Sequence, residues 1–150
     1  MPQQPEDSGR SILCVFAHPD DETAGAGGTI ARYAAEGVTV RIVTATRGEQ
    51  GSLGPDDRLI RREDLPIVRE TELRSALVVL GAPPPVLLGY RDGEVADATF
   101  DGLVAKVEAQ MDEDKQDVVI TFGPTGITGH SDHITMHRRR WRRSTGIRGR

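Results

Sequence analysis

The 150-residue chain holds a single cysteine, Cys14, which excludes an intramolecular disulfide. That residue lies inside the apolar run Ile12-Leu13-Cys14-Val15-Phe16, so it reads as a small buried hydrophobe rather than a nucleophile. No apolar stretch approaches the length of a membrane span. Residues 1–10 are rich in proline, glutamine and acid and lack the apolar segment of a secretory signal. They read as a disordered tail, and the expected address is cytoplasmic. Acidic residues are missing from the last stretch: all 23 precede His133, while seven of the 19 basic residues lie between Arg138 and Arg150. The run Arg138-Arg139-Arg140-Trp141-Arg142-Arg143 reads either as a solvated end or as a patch for anionic ligands. Its composition favours the solvated end, and no nucleic-acid partner is expected.

What remains is a soluble, globular composition, 37% hydrophobic and 28% charged, of a length that supports one domain with a modest core. Strand and helix patterns alternate without repeats or a dividing linker. This predicts an α/β fold, a Rossmann-like and mostly parallel sheet flanked by helices. Strands are predicted over Ser11 to Ala17, Val38 to Thr44, Val86 to Leu88 and Val118 to Phe122. A helix of small residues runs from about Thr23 to Glu36 and closes on Gly37. Another spans Leu65 to Leu80, with Leu73, Ala76, Leu77 and Leu80 as its apolar stripe and Gly81 and Pro83 beyond its end. A third runs from Phe100 to about Glu113 with Leu103, Val104 and Val107 facing inward. The polar stretch from Arg47 to Arg61 is too long for a tight connection and reads as a functional or mobile loop.

Two clusters carry chemistry. Ala17-His18-Pro19-Asp20-Asp21-Glu22 follows the first strand directly, and Gly129-His130-Ser131-Asp132-His133 follows the strand at Val118. A histidine with several carboxylates at the carboxyl end of a buried strand is poor packing material, because buried charges need partners or a metal. Strand carboxyl ends in open α/β sheets are also where ligands bind. Catalytic zinc takes three protein ligands from His, Asp or Glu and keeps a position for water, and the two clusters together offer such a set.

The clusters resemble those of the LmbE/PIG-L family of zinc-dependent N-acetylglucosaminyl deacetylases. Besides the first cluster, the resemblance rests on Gly123-Pro124, Gly126-Ile127 and Gly129-His130 with Asp132-His133. Thr46-Arg47-Gly48-Glu49, Gly51, Arg69, Glu72-Leu73, Leu80-Gly81 and Asp92-Gly93 lie between, in colinear order over residues 10–137. The resemblance implies Zn2+ held by His18, Asp21 and His133, with Asp20 as general base. It implies that His130 stabilises the oxyanion while Asp132 holds the His130 ring, and that Arg69 and Asp92 contact the hydroxyls of a sugar. The partner so implied is a small N-acetyl amino sugar or glycoconjugate. Ser131 stands where many members carry proline, and Glu49 is a weaker candidate. The family pattern stops near Arg138, so residues 11–137 are expected to be an incomplete deacetylase domain followed by an Arg-rich tail at 138–150. The alternative is a catalytically weak or inactive remnant.

Plainer readings exist for each piece. Asp20 or Asp21 could cap the helix near Thr23, although a cap explains neither His18 nor the second cluster. His130 and His133 alone would pass for solvent-facing loop residues. Arg69 could be an ordinary helix arginine, and Asp92 before Gly93 could make a turn. His137 would share the face of His133 on a helix and reads as a surface residue. Gly25-Ala26-Gly27-Gly28 suggests a dinucleotide loop, but Ile30 occupies the third glycine position and no acid ends the second strand. Those glycines are expected instead to let the helix pack closely on the sheet.

Overall fold

Strand β1 (Ser11–Phe16) buries every side chain from Ile12 to Phe16, the pattern of a strand covered on both faces. It accordingly occupies the interior of the sheet. The structure is a computed structural model and describes residues 7–55, 59–111 and 116–138. Strand β2 (Thr39–Thr44) flanks β1 on one side and β4 (Val118–Ile120) on the other, with β3 (Val86–Leu87) beyond β2. All pairings are parallel; Ser11 faces Thr39 and Phe16 faces Thr44, while Ile12 faces Val118.

Parallel neighbours require crossovers, which are supplied by helices α1 (Asp21–Ala35), α2 (Leu65–Leu80) and α3 (Phe100–Glu108). The chain steps outward from β1 through β2 to β3, then returns past β1 to lay down β4. With right-handed crossovers the reversal carries α3 to the face opposite α1 and α2, which pack on each other. The carboxyl ends of β1 and β4 therefore diverge at a topological switch point, where open α/β sheets hold ligands. A fourth helix, α4 (Ser131–Arg138), starts just beyond it.

The helices form and stop for local reasons. α2 begins at Leu65-Pro66 and ends on Gly81 at φ +77°, where the Ala82 N–H returns to the Leu77 carbonyl at 2.9 Å. Its buried face is Leu65, Leu73 and Leu77, with Ala76 and Leu80 half-buried. α3 is capped by Thr99, whose hydroxyl accepts the Gly102 N–H, and it buries Leu103, Val104 and Val107 as its pattern predicts. No described helix is long and apolar enough to cross a membrane.

Several boundaries differ from the sequence expectation. α1 begins at Asp21, because Asp20 rather than a later residue takes the N-cap position. The bonded structure starts by Ser8, whose N–H reaches the Gly37 carbonyl, and the Arg10 carbonyl accepts the Thr39 N–H. Residues 1–6 of the expected tail and 139–150 of the Arg-rich tail lie outside the described residues. So do Asp112 and Glu113 of the predicted third helix, which closes at Glu108. Phe122 leaves the strand and packs edge-on against Phe16, with ring centroids 5.5 Å apart. The α1 glycines do not serve close packing. A Cβ at Gly25 or Gly28 would meet nothing within 4 Å, and one at Gly27 would make only ordinary contact.

Cys14 is fully buried in β1, and burial, with the Glu22 charge adding to it, pushes its thiol up to about 12. The thiolate is the reactive form, so the native protein at pH 8 should resist a thiol reagent and react stoichiometrically once unfolded. A colorimetric thiol titration checks this; rapid labelling of the native protein would mean that β1 is not held at the centre.

Candidate metal centre

Both clusters emerge at the switch point. The chain leaves β1 through Ala17, whose carbonyl accepts the Thr46 N–H and hydroxyl, and then turns sharply at Pro19-Asp20 into α1. Within that turn the Asp21 carboxylate accepts the His18 N–H at 2.8 Å, which brings the two side chains to one side. From the other edge, the loop after β4 delivers His130 and then Asp132 and His133 in the first turn of α4.

Each ring has one nitrogen tied off and one turned inward. The His18 Nε2 lies 3.0 Å from Asp132 Oδ2 and 2.9 Å from Asp92 Oδ1, two acceptors that fix a proton on Nε2. His133 Nδ1 donates to the Gly126 carbonyl at 2.9 Å, which leaves its Nε2 as the lone-pair nitrogen. That nitrogen lies 3.0 Å from His18 Nδ1. Asp21 completes the group, with Oδ1 3.3 Å from His133 Nε2 and Oδ2 3.6 Å from His18 Nδ1. The Phe122 ring stacks on His133 at 4.1 Å and walls the site from the core.

Three donors facing one point repel one another unless a proton or a cation lies between them. Tetrahedral zinc with bonds of 2.0–2.1 Å separates its ligand atoms by about 3.4 Å, close to the spacings of these three residues. His18, Asp21 and His133 form a group that could hold a metal ion; His18 with Asp92, His130 and Asp132 forms a second cluster. The second is better explained as support for His18. Asp132 is fully buried and its carboxylate also accepts the N–H groups of Gly93 at 2.8 Å and Val95 at 3.2 Å. Burial works against its ionisation, yet the His18 contact and these N–H groups outweigh it and hold the carboxyl below its usual range. Asp92 gives Oδ1 to His18 and Oδ2 to the Gln50 N–H.

Expectation and geometry part at two residues. The Asp132 carboxylate does not steady His130; it turns to His18, because α4 points it at the Gly93 loop, and only the Asp132 backbone N–H reaches His130 Nδ1. Asp92 is 7% exposed, with Oδ1 toward His18 and Oδ2 on the Gln50 N–H, and it lines the cavity beside them. His137 is half-buried rather than a surface residue, its Nδ1 on the Phe122 carbonyl at 2.8 Å. Asp20, Arg69 and His130 do reach the cavity of about 450 Å³ that opens on the three donors. The Arg69 guanidinium bonds Asp20 Oδ2 at 2.8 Å and the Pro19 carbonyl at 2.5 Å. Gly126 stood in the second motif of the sequence without a role. At φ +63° its carbonyl fixes the His133 tautomer, and a Cβ there would lie 2.8 Å from the His133 Cβ.

A parallel α/β sheet with a His/Asp group that could hold a metal ion at its switch point is the class that fold and site define. The chain belongs to the PIG-L family, described as GlcNAc-PI de-N-acetylase, whose profile matches residues 13–142. It is 41% identical over 147 residues to the 1D-myo-inositol 2-acetamido-2-deoxy-alpha-D-glucopyranoside deacetylase of Mycobacteroides abscessus, covering 85% of this chain and 53% of that protein. The enzyme of the same name from Rhodococcus jostii is 41% identical over 150 residues, covering 87% and 51%. Among solved structures, N,N'-diacetylchitobiose deacetylase from Pyrococcus horikoshii superposes with a TM-score of 0.74 at 27% identity, covering 86% of this chain and 47% of that one. The chain thus spans about half the length of the curated relatives it matches.

Two outcomes follow from the geometry. Gly126→Ala should weaken zinc affinity about 10- to 100-fold, as loss of an outer hydrogen bond to a ligating histidine does. Calorimetric titration checks it, and unchanged affinity would mean the Gly126 carbonyl does not orient the ring. The second concerns protons. Burial alone would lower the His18 pKa, but the carboxylates of Asp132, Asp92 and Asp21 outweigh it and raise it above its ordinary 6.5. A pKa raised by folding contributes stability below the unfolded value that is lost as pH climbs through the folded one. The chelator-treated protein should therefore melt at falling temperature as pH rises above about 6.5, while zinc affinity rises as the competing proton leaves. Melts and titrations across pH 6 to 9 check both signs.

Proposed function

We propose that the protein acts as a zinc-dependent N-deacetylase, a hydrolase that removes the acetyl group of an N-acetylated amino sugar or its conjugate. The observation that carries this reading is the convergence of His18 Nδ1, Asp21 and His133 Nε2, with the other nitrogen of each ring tied to an acceptor. Family membership supports it, as do relatives whose names specify 2-acetamido-2-deoxy-glucopyranoside and diacetylchitobiose deacetylation. A zinc ion at this point would supply Lewis acidity toward an amide carbonyl and a water molecule.

The side chains around the donors suit the remaining steps. Asp20, 72% exposed and facing the cavity, takes the proton of the attacking water and returns it to the departing amine. Arg69 holds that carboxylate in place and rims the cavity where sugar hydroxyls would lie. His130 accepts the Asp132 N–H at Nδ1, which leaves Nε2–H to donate to the oxygen that gains charge in the tetrahedral stage. Asp132 acts through His18, fixing its tautomer and ring plane, and Asp92 supports the same ring from the cavity wall, where a sugar hydroxyl would reach it.

A second reading is a weakly active or inactive protein that keeps the family's His/Asp group. Zinc stoichiometry and acetate release from an N-acetylglucosaminyl substrate separate the two. The deacetylase reading expects one zinc per chain, lost in His133→Ala. It also expects Asp20→Asn to keep the zinc while acetate release falls about 10²- to 10⁴-fold. A zinc-loaded protein that releases no acetate would favour the second reading, and full turnover in Asp20→Asn would remove Asp20 as the base.

A further inference from the structure

Glu22 is a buried acid that the chemistry above does not use. It is 1% exposed, in the first turn of α1, and its side chain folds back toward the preceding turn. There Oε2 accepts the Asp20 N–H at 3.0 Å, and Oε1 accepts the Thr23 hydroxyl at 2.7 Å. The residue it grips has an unusual backbone. Asp20 adopts φ +88° and ψ −20°, a left-handed conformation rare outside glycine.

That conformation decides where the Asp20 carboxylate goes. An aspartate at a helix N-cap ordinarily lays its carboxylate over the first free N–H groups of the helix. Asp20 makes no such side-chain cap, and its carboxylate stands out toward the cavity and Arg69 instead. Two devices hold it there, Arg69 on the carboxylate and Glu22 on the backbone. Strained residues of this kind persist only where their surroundings over-determine them.

We propose that Glu22 is a positioning residue for Asp20: its buried carboxylate pins the Asp20 N–H, keeps the turn left-handed and so presents the Asp20 carboxylate to the cavity instead of to the end of α1. This rests on the reading of Asp20 as the base, and the test separates the two. Glu22→Ala removes the acceptor. Glu22→Gln keeps one for the Asp20 N–H and an amide that the Thr23 hydroxyl can accept from.

With zinc at one per chain in all variants, Glu22→Ala should lower kcat on an N-acetylglucosaminyl substrate about 10- to 100-fold, the range of lost outer-layer contacts. KM should stay within about twofold, the pattern of a lost transition-state interaction, and Glu22→Gln should restore most of kcat. In the Asp20→Asn background Glu22→Ala should cost nothing further, because it acts through that side chain. Additive losses, or Glu22→Gln as impaired as Glu22→Ala, would overturn the proposal. Hydrogen exchange at the Asp20 amide needs no turnover. It should be slow in the zinc-loaded parent and in Glu22→Gln and fast in Glu22→Ala. Free exchange in the parent would overturn the assignment even if Glu22→Ala fails to fold. A parent that releases no acetate would count against the deacetylase reading alone, with the exchange rates deciding the role of Glu22.

Discussion

Two imidazole nitrogens set 3.0 Å apart, His18 Nδ1 and His133 Nε2, are the constraint on which the rest of the site depends. Two lone pairs at that distance repel unless a proton or a cation lies between them, so the pose depends on what holds each ring. Each is held by what lies behind it: Asp92 and Asp132 at one ring, and at the other the Gly126 carbonyl with the Phe122 face. Those supports are fixed in turn. Asp132 is pinned by the backbone of the Gly93 loop, and Asp92 by the loop at Gln50. The polar arrangement thus grades outward from three donors to a ring of backbone N–H groups, and few buried charges are left uncompensated.

The fold makes this possible by direction reversal. β1 and β4 are neighbours, yet their following segments diverge, one into α1 and the other through a loop into α4. Side chains from both segments enter the same gap without competing for space. The long apolar run of β1 is therefore more than core material. By occupying the middle of the sheet it places the His18 turn where the second cluster can meet it.

Much of this was legible before the structure, and the reason differs by element. Strand positions in outline, α2 to the residue, and the inward faces of α3 follow from hydrophobic period and from stop signals such as Gly81. These are local properties. The ligand residues stood out because histidines and carboxylates have no packing reason to cluster after a buried strand. What stayed hidden were contacts between residues distant in sequence. Nothing near Asp132 foretells that it will face His18, 114 positions away, rather than His130 two positions away. Asp92 was visible as an acid before a glycine, but its burial is set by Gln50, 42 residues earlier. Gly126 and Glu22 stood in the two motifs without a role until the left-handed turns they serve are seen. The Phe16–Phe122 contact likewise needed the packed sheet.

The spacing of the donors along the chain has a kinetic side. His18 and His133 are 115 residues apart, so the site closes a long loop. During synthesis His18 and Asp21 emerge before β4 and α4, so the two halves of the candidate site meet only after those elements form. Loop-closure entropy grows only slowly with such a length, so the delay is one of assembly order more than of cost. An ion held there would clasp β4 and α4 against the turn after β1, slowing their separation more than it speeds their docking.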